Sequence, residues 1–361
     1  MTTWQSKDFE KCLTKVIYTN KIQQFDFKKS GKYPIISQNA EFISGYWDNE
    51  SDVFKLNKPV VIFGDHTRCL KYVDFDFVLG ADGVKILQTN EDILPKYLYY
   101  YLQYIPIDNL GYSRHYKLLK EKVVRYPSLD QQKKIVRILD KADEIRTKKR
   151  LANAKLDEFL KSTFISMFGT PYKNEKIFKE CCFGDICTVR QGLQIPISER
   201  KSEPKENRKL YITIQYLNGK KNAEYIENPK DNVVCKEEDV LMTRTGNTGM
   251  VISGVNGVFH NNFFLIDFNR NILDKQFVLY YLKNPKVYLE ILKKAGSSTI
   301  PDLNHSDFYK IKLFLPPIEE QNKFAQIVEK VEKQKQKNEQ VIEQMNNLFN
   351  SLSQKAVKGE L

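Results

Sequence analysis

The sequence predicts an α+β chain with a pseudo-twofold internal repeat. Two globular mixed α/β domains are expected, joined by two long antiparallel helices that form a coiled coil. Three observations predict it. The segment Pro127-Ser-Leu-Asp-Gln-Gln132 returns 189 residues later as Pro316-Pro-Ile-Glu-Glu-Gln321, and Gln132, Lys134, Ile138 and Lys141 recur as Gln321, Lys323, Ile327 and Lys330. A gapless match through a charged segment implies a duplicated unit. After each start, apolar residues recur at steps of three and four, as on a helix with one buried stripe. Before each start, short apolar runs alternate with Gly, Asn and Asp, as strands alternate with turns.

Residues 1–127 hold runs such as Pro59-Val-Val-Ile-Phe63 and Phe75-Asp-Phe-Val-Leu79, read as strands, and a Tyr-rich helix over Leu94–Gln103. Residues 128–171 are a helical spacer. Ser128 and Gln131 are spaced as a capping box, the stripe runs Ile135, Ile138/Leu139, Ala142, Ile145, Ala152, Leu156, Phe159/Leu160, Phe164 and Met167, and Gly169 with Pro171 ends it. Residues 172–316 repeat the style of the first domain. Val240–Thr248 stands where Val60–Arg68 stood, and Phe277–Leu282 echoes the Tyr-rich helix, while the offset grows from about 180 to 189. Residues 317–361 form the second spacer, with Pro317 at the start and the stripe Phe324, Ile327/Val328, Val331, Val341/Ile342, Met345, Leu348/Phe349 and Leu352. Each helix would be roughly 60 Å long at about 1.5 Å per residue. In an antiparallel pair the polar lapses at 146–150 and 334–340 would meet as a register-fixing layer.

Composition narrows the function. The net charge of +12 suits a nucleic-acid partner. The surplus lies outside the C-terminal spacer, since residues 317–361 carry seven basic and seven acidic side chains. No run of about 18 apolar residues exists, so no membrane partner is expected. The first residues lack a signal-peptide pattern, which predicts a cytoplasmic protein with its six cysteines reduced. Cys181, Cys182 and Cys187 lack metal-ligand spacing, and no metal site is expected. Catalytic signatures are missing. GxxxxGK[ST], GxGxxG, HExxH and GxSxG do not occur, and Asn284-Pro285-Lys286 fails the amino-methyltransferase pattern.

The polar loops are the candidate function. His66, Thr67 and Arg68 follow one strand; Thr243, Arg244, Thr245, Asn247 and Thr248 follow its counterpart. Ser113, Arg114, His115 and Lys117 precede the first spacer, and Ser297, Ser298 and Thr299 precede the second. These side-chain types read base edges or hold phosphates. Gln38-Asn39, Gln191-Gly192, Asn304 and His305 are further candidates.

Tyr126-Pro-Ser-Leu-Asp-Gln-Gln132, Leu315-Pro-Pro-Ile-Glu-Glu-Gln321, Lys161–Pro171, the final Lys355–Leu361 and Phe63-Gly-Asp-His-Thr67 together resemble the specificity (S) subunit of a type I restriction–modification system. The resemblance implies a non-catalytic subunit in which each globular segment, 1–127 and 172–316, is a target-recognition domain for half of an asymmetric bipartite target on double-stranded DNA. The paired spacers would measure the gap and dock DNA methyltransferase (M) subunits, which restriction/translocase (R) subunits join. No cofactor is expected on this chain; methyl donor, ATP and Mg would sit on partner subunits. The specificity subunit of a related restriction class, or a coiled-coil scaffold that binds no DNA, stands as the alternative.

Overall fold

The computed structural model describes every residue except 1–3, 112, 297–300, 359 and 361, and the side chains of 356 and 357. The chain divides into two compact units, Met1–Leu151 with Asn338–Leu361, and Ala152–Lys337. Each long helix is one continuous element, Leu129–Phe168 and Ile318–Lys358, that contributes to both units.

In the first unit the globular part opens and closes on one antiparallel pair, Gln5–Asp8 against Val123–Tyr126. Between them lie a three-stranded sheet (Leu70–Val73, Val60–Gly64, Val84–Leu87) and a mixed five-stranded sheet, in which Lys21–Ile22 and Tyr33–Ile36 run parallel to Phe77–Gly80. The helix Pro95–Tyr104 packs on the three-stranded sheet through Tyr97, Leu98 and Tyr101. Ile135 and Leu139 of the first long helix and Phe349 of the second join that core.

The second unit repeats the plan. Lys179–Cys182 pairs with Lys312–Leu315. Val240–Thr243 lies between Val251–Ile252 and Phe263–Phe268. Arg208–Ile212 runs parallel to Gly257–Phe259, as Tyr33–Ile36 does to Phe77–Gly80. Hydrogen bonds recur too: Phe9 N–H donates to Lys122 O and Phe183 N–H to Ile311 O, both about 3 Å (2.9 and 3.0 Å). The Tyr101 hydroxyl donates to Val123 O and the Tyr281 hydroxyl to Lys312 O. The offset grows because the second unit carries an amphipathic helix, Pro285–Ala295, after its Tyr-rich helix Lys275–Leu282. Over the described residues of 105–115 the first unit has no helix at that place.

Each long helix is seated by a buried glutamine. Gln132 Nε2 donates to Asp92 O (2.8 Å) and Pro127 O (2.9 Å), and its Oε1 accepts from Leu94 N–H (2.9 Å). Gln321 Nε2 donates to Ile272 O (3.0 Å) and Pro316 O (2.8 Å), and its Oε1 accepts from Asp274 N–H (2.9 Å). Both side chains are fully buried. A backbone N–H can only donate, so the amide orientation is forced. This brace replaces the expected capping box, because Ser128 and Gln131 make no side-chain capping bond among the described residues.

The helices pair antiparallel within each unit. In the first, Arg146 Nη1 donates to Asn346 Oδ1 (3.0 Å) and Lys149 Nζ to Asn338 Oδ1 (3.1 Å). In the second, Lys335 Nζ meets Asp157 (2.8 Å) and Phe164 packs edge-on against Phe324. Lys149 and Asn338 come from the two expected lapses, so the polar layer forms. The buried stripe is narrower than predicted: Ile138, Phe159 and Leu348 are 47%, 50% and 41% exposed while Leu139, Leu160 and Phe349 are buried. Adjacent helical residues point about 100° apart, and a single seam takes one of each pair.

Two variants check these features. Gln321→Leu leaves one N–H and two carbonyls without their partner and should cost about 2–4 kcal/mol, read as a lower urea midpoint and faster exchange of the Asp274 amide. An unchanged midpoint would refute the brace. Phe164, 2% exposed against Phe168, Phe277 and Phe324, should lose about 3–5 kcal/mol on Phe164→Ala, whereas Phe159→Ala should stay within about 1 kcal/mol.

Candidate nucleic-acid interface

In the first unit the predicted residues gather where the parallel strands end. Beyond Tyr33–Ile36 the chain forms a loop at 37–42, and beyond Val60–Gly64 it turns at 65–69. The two loops are locked together. His66 N–H donates to Gln38 Oε1 (3.1 Å) and the Thr67 hydroxyl to Gln38 O (2.6 Å). Asp65 N–H donates to Gly83 O (2.7 Å), bringing a third turn to the same end.

A buried lysine fixes the first loop from beneath. Lys71 is 3% exposed, and its Nζ donates to Ser37 O (2.8 Å) and Glu41 O (2.5 Å). Burial pushes its ammonium below the usual lysine range. Charge-assisted bonds to carbonyls offset that desolvation.

The predicted residues divide by what they do. His115 is fully buried. Its Nε2 accepts Leu110 N–H (3.1 Å), so Nδ1 donates to Asp65 O (2.9 Å), and both ring nitrogens serve the fold. Thr67 is exposed, but its hydroxyl also closes the turn by accepting Cys69 N–H (3.3 Å). Arg68 holds a positive φ of 61° and donates to Ile107 O (2.9 Å), tying the loop to 105–115. Arg114 and Lys117 are exposed, and Ser113 is half-buried.

The second unit builds the matching end differently. Thr243 is fully buried; its hydroxyl donates to Asn247 O and accepts Met250 N–H (2.9 Å), closing the 243–250 turn. Thr248 is 3% exposed and donates to Pro301 O (2.7 Å). Arg244 grips Asp302 with two bonds, Nε to Oδ1 (2.9 Å) and Nη2 to Oδ2 (2.7 Å). Asn247 is exposed and Thr245 half-buried. Asn304 caps the helix His305–Tyr309 by accepting Asp307 N–H (2.8 Å). Burial and then the Arg244 charge press the His305 imidazole below its usual range, toward the neutral form. Ser297, Ser298 and Thr299 lie outside the described residues. Gln191 and Gln194 reach Asn261 through its carbonyl and side-chain amide, both at 3.4 Å.

Each end therefore presents a few exposed donors, Arg114 and Lys117 in one unit and Asn247 in the other, on a frame closed by buried polar groups. Lys71, Ile107 and Asp302 are the frame residues that sequence reasoning missed. Lys71 sits on a strand with nothing to mark it, and the other two are distant in sequence from the loops they hold. Among the described residues no group of three or more His, Cys, Asp or Glu could hold a metal ion. Burial pushes the Cys187 thiol up to about 12.

The arrangement has relatives. The family model for the type I restriction modification DNA specificity domain matches residues 6–156 and 175–347. The chain is 31% identical over 129 residues to the type I restriction enzyme EcoR124I/EcoR124II specificity subunit of Escherichia coli, covering 32% of each chain. It is 26% identical over 119 residues to the type I restriction enzyme MjaVIII specificity subunit of Methanocaldococcus jannaschii, covering 33% of this chain and 28% of that one. These matches span about a third of the length of either relative. The crystal structure of the S subunit of a type I restriction–modification system from M. genitalium superposes with a TM-score of 0.63 at 16% identity, over 99% of this chain and 96% of that one.

Gly64 sets the spacing of the two locked loops. A Cβ there would collide with Thr67 Oγ1 and lie 2.9 Å from Gln38 Cβ. Gly64→Ala should spread the loops, shifting the amide resonances of 37–42 and 64–69 while the stem helices keep their helical signal. Unchanged resonances in both loops would refute the locked arrangement.

Proposed function

This chain belongs to the type I restriction modification DNA specificity domain family, and from that premise we propose that it is the DNA-reading subunit of a restriction–modification enzyme. Each unit reads one half of an asymmetric bipartite target on double-stranded DNA. The chain performs no chemistry; it places methyltransferase subunits, and the restriction/translocase subunits that join them, on the site. Methyl donor, ATP and Mg belong to those partners, and the assembly works in the cytoplasm, beside the DNA.

One observation carries the reading. The same frame is built twice, with the same strands ending in the same polar turns, yet the side chains left exposed on it differ. Duplicated frames with unlike tips suit two readers of unlike half-sites. Bidentate or phosphate contacts from exposed Arg, Lys and Asn would supply recognition, and the net charge of +12 supports attraction to the duplex. The boundaries that follow are 1–127 and 172–316 for the readers and 128–171 and 317–361 for the spacers.

Exchanging residues 172–316 for those of a relative should change one half of the methylated motif and leave the other intact; a change in both halves would contradict independent reading. Arg114 and Asn247 are exposed, so replacing either should spare the fold. Arg114→Ala and Asn247→Ala should each weaken binding to the target duplex by about 1–3 kcal/mol, in the half read by its own unit. Undiminished binding by both variants would remove these loops from the interface.

A further inference from the structure

Resting on the DNA-reading assignment above, we propose that Phe25 and Ile197 are apolar wedges that enter the duplex between adjacent base pairs, one in each half-site. Phe25 is 85% exposed and Ile197 is 75% exposed. A single bare apolar residue on a surface is ordinary. These two are not single, because each is the bare apolar residue of the same turn in the repeat, one position apart.

The register shows that the two turns are equivalent, with Phe25 three residues before its bridge and Ile197 four residues before the matching one. Lys28 bridges Tyr46, which pairs with Pro34; Lys201 bridges Tyr225, which pairs with Leu210. One 3-10 turn precedes each bridge, Gln24–Asp26 in one unit and Ile197–Glu199 in the other, and each carries the bare side chain. Ile17 and Ile177 are as exposed, at 88% and 89%. Counted along the sequence from the equivalent strands, Ile177 corresponds to Thr3 and Ile17 to Gln191, neither of them apolar, so neither recurs.

Both turns are held rigidly from below. Ile22, before the first, is buried, and Gly80 packs against the Phe27 ring after it. Before the second turn Ile195 is buried with its N–H on the Tyr211 hydroxyl (3.0 Å). After it the Arg200 guanidinium lies over the Tyr211 ring and donates to Ile195 O (2.7 Å). A turn anchored on both sides has no freedom to fold its apolar tip inward, so the exposure is built in.

The turns stand at the end of each unit that bears the polar loops. Ala81 N–H donates to Ile22 O, and Asp65 N–H to Gly83 O two residues on. In the second unit Leu193 N–H donates to Phe259 O, and Arg244 N–H to Asn262 O. Cations flank the tips: Lys21, Lys28, Lys29 and Lys32 around Phe25, with Asp26 nearby and Asp48 paired to Lys28 (2.8 Å), and Arg200, Lys201 and Lys205 around Ile197, with Glu199 and Glu203 nearby and Glu224 paired to Arg200 (3.1 Å). A bare Phe or Ile among cations matches the side chains that architectural proteins push between base steps, where phosphate contacts offset unstacking.

The test places 2-aminopurine at each position of a duplex carrying the host motif whose methylation depends on this chain, and binds it with the full chain and its methyltransferase. Apart from the methylated base, one position in each half should brighten on binding. Phe25→Ala should quench that position in one half only and weaken binding roughly five- to a hundredfold. Ile197→Ala should do the same in the other half, and Phe25→Leu should keep the signal. Because both residues are exposed, thermal midpoints should not move. Binding with no brightened step, or a signal untouched by both alanine variants, would overturn the wedge while leaving the DNA reading in place. Failure of the wild-type assembly to bind the duplex would overturn both.

Discussion

The structure depends on one buried amide, used twice. Gln132 and Gln321 each spend their full planar group on backbone, accepting from the residue that starts a Tyr-rich helix and donating to the turn before it and to the residue five positions earlier. A carboxylate could not donate, a lysine could not accept, and an apolar side chain would leave three polar groups without partners. The constraint therefore selects glutamine at both positions. It also couples two things that must stay in register, the start of a long helix and the layer of the globular core that carries the polar loops.

Above that brace, the interior repeats and the tips diverge. The Tyr101 and Tyr281 hydroxyls find the same strand carbonyl, and each parallel strand pair ends under a polar turn. The means of closing those turns are not conserved between units. Lys71 and His115 do it in one, Thr243 and the Arg244–Asp302 pair in the other. Core geometry tolerates little change because packing is tight. A loop needs only its polar groups satisfied, and several side chains can do that. A frame that holds while its tips vary suits a reader whose target can change without rebuilding the protein.

Most of the frame was legible in the sequence, for reasons visible in particular residues. The recurrence of Gln132 as Gln321, the three-and-four spacing from Ile135 to Met167 and the stop at Gly169 give the two long helices nearly to the residue. The polar lapse around Lys149 and Asn338 gave their register. What failed was finer. Ile138 and Phe159 are apolar yet exposed, since periodicity cannot say which of two neighbours a narrow seam takes. The growing offset gives no hint that its source is a helix, Pro285–Ala295, although Asn284 and Pro285 mark its start. At the site, residue type located the loops but not the direction of each side chain: His115 and Thr243 face inward, while Asp302, far along the chain, holds Arg244. Such pairings depend on tertiary contact that spacing does not encode.

The most direct measurement is a map of methylated motifs in the host with and without this gene. Two braced units with unlike tips predict a split motif whose halves differ and are separated by a fixed stretch of unspecified bases, absent when the gene is absent. A continuous or palindromic motif, or a methylation pattern indifferent to the gene, would contradict the account.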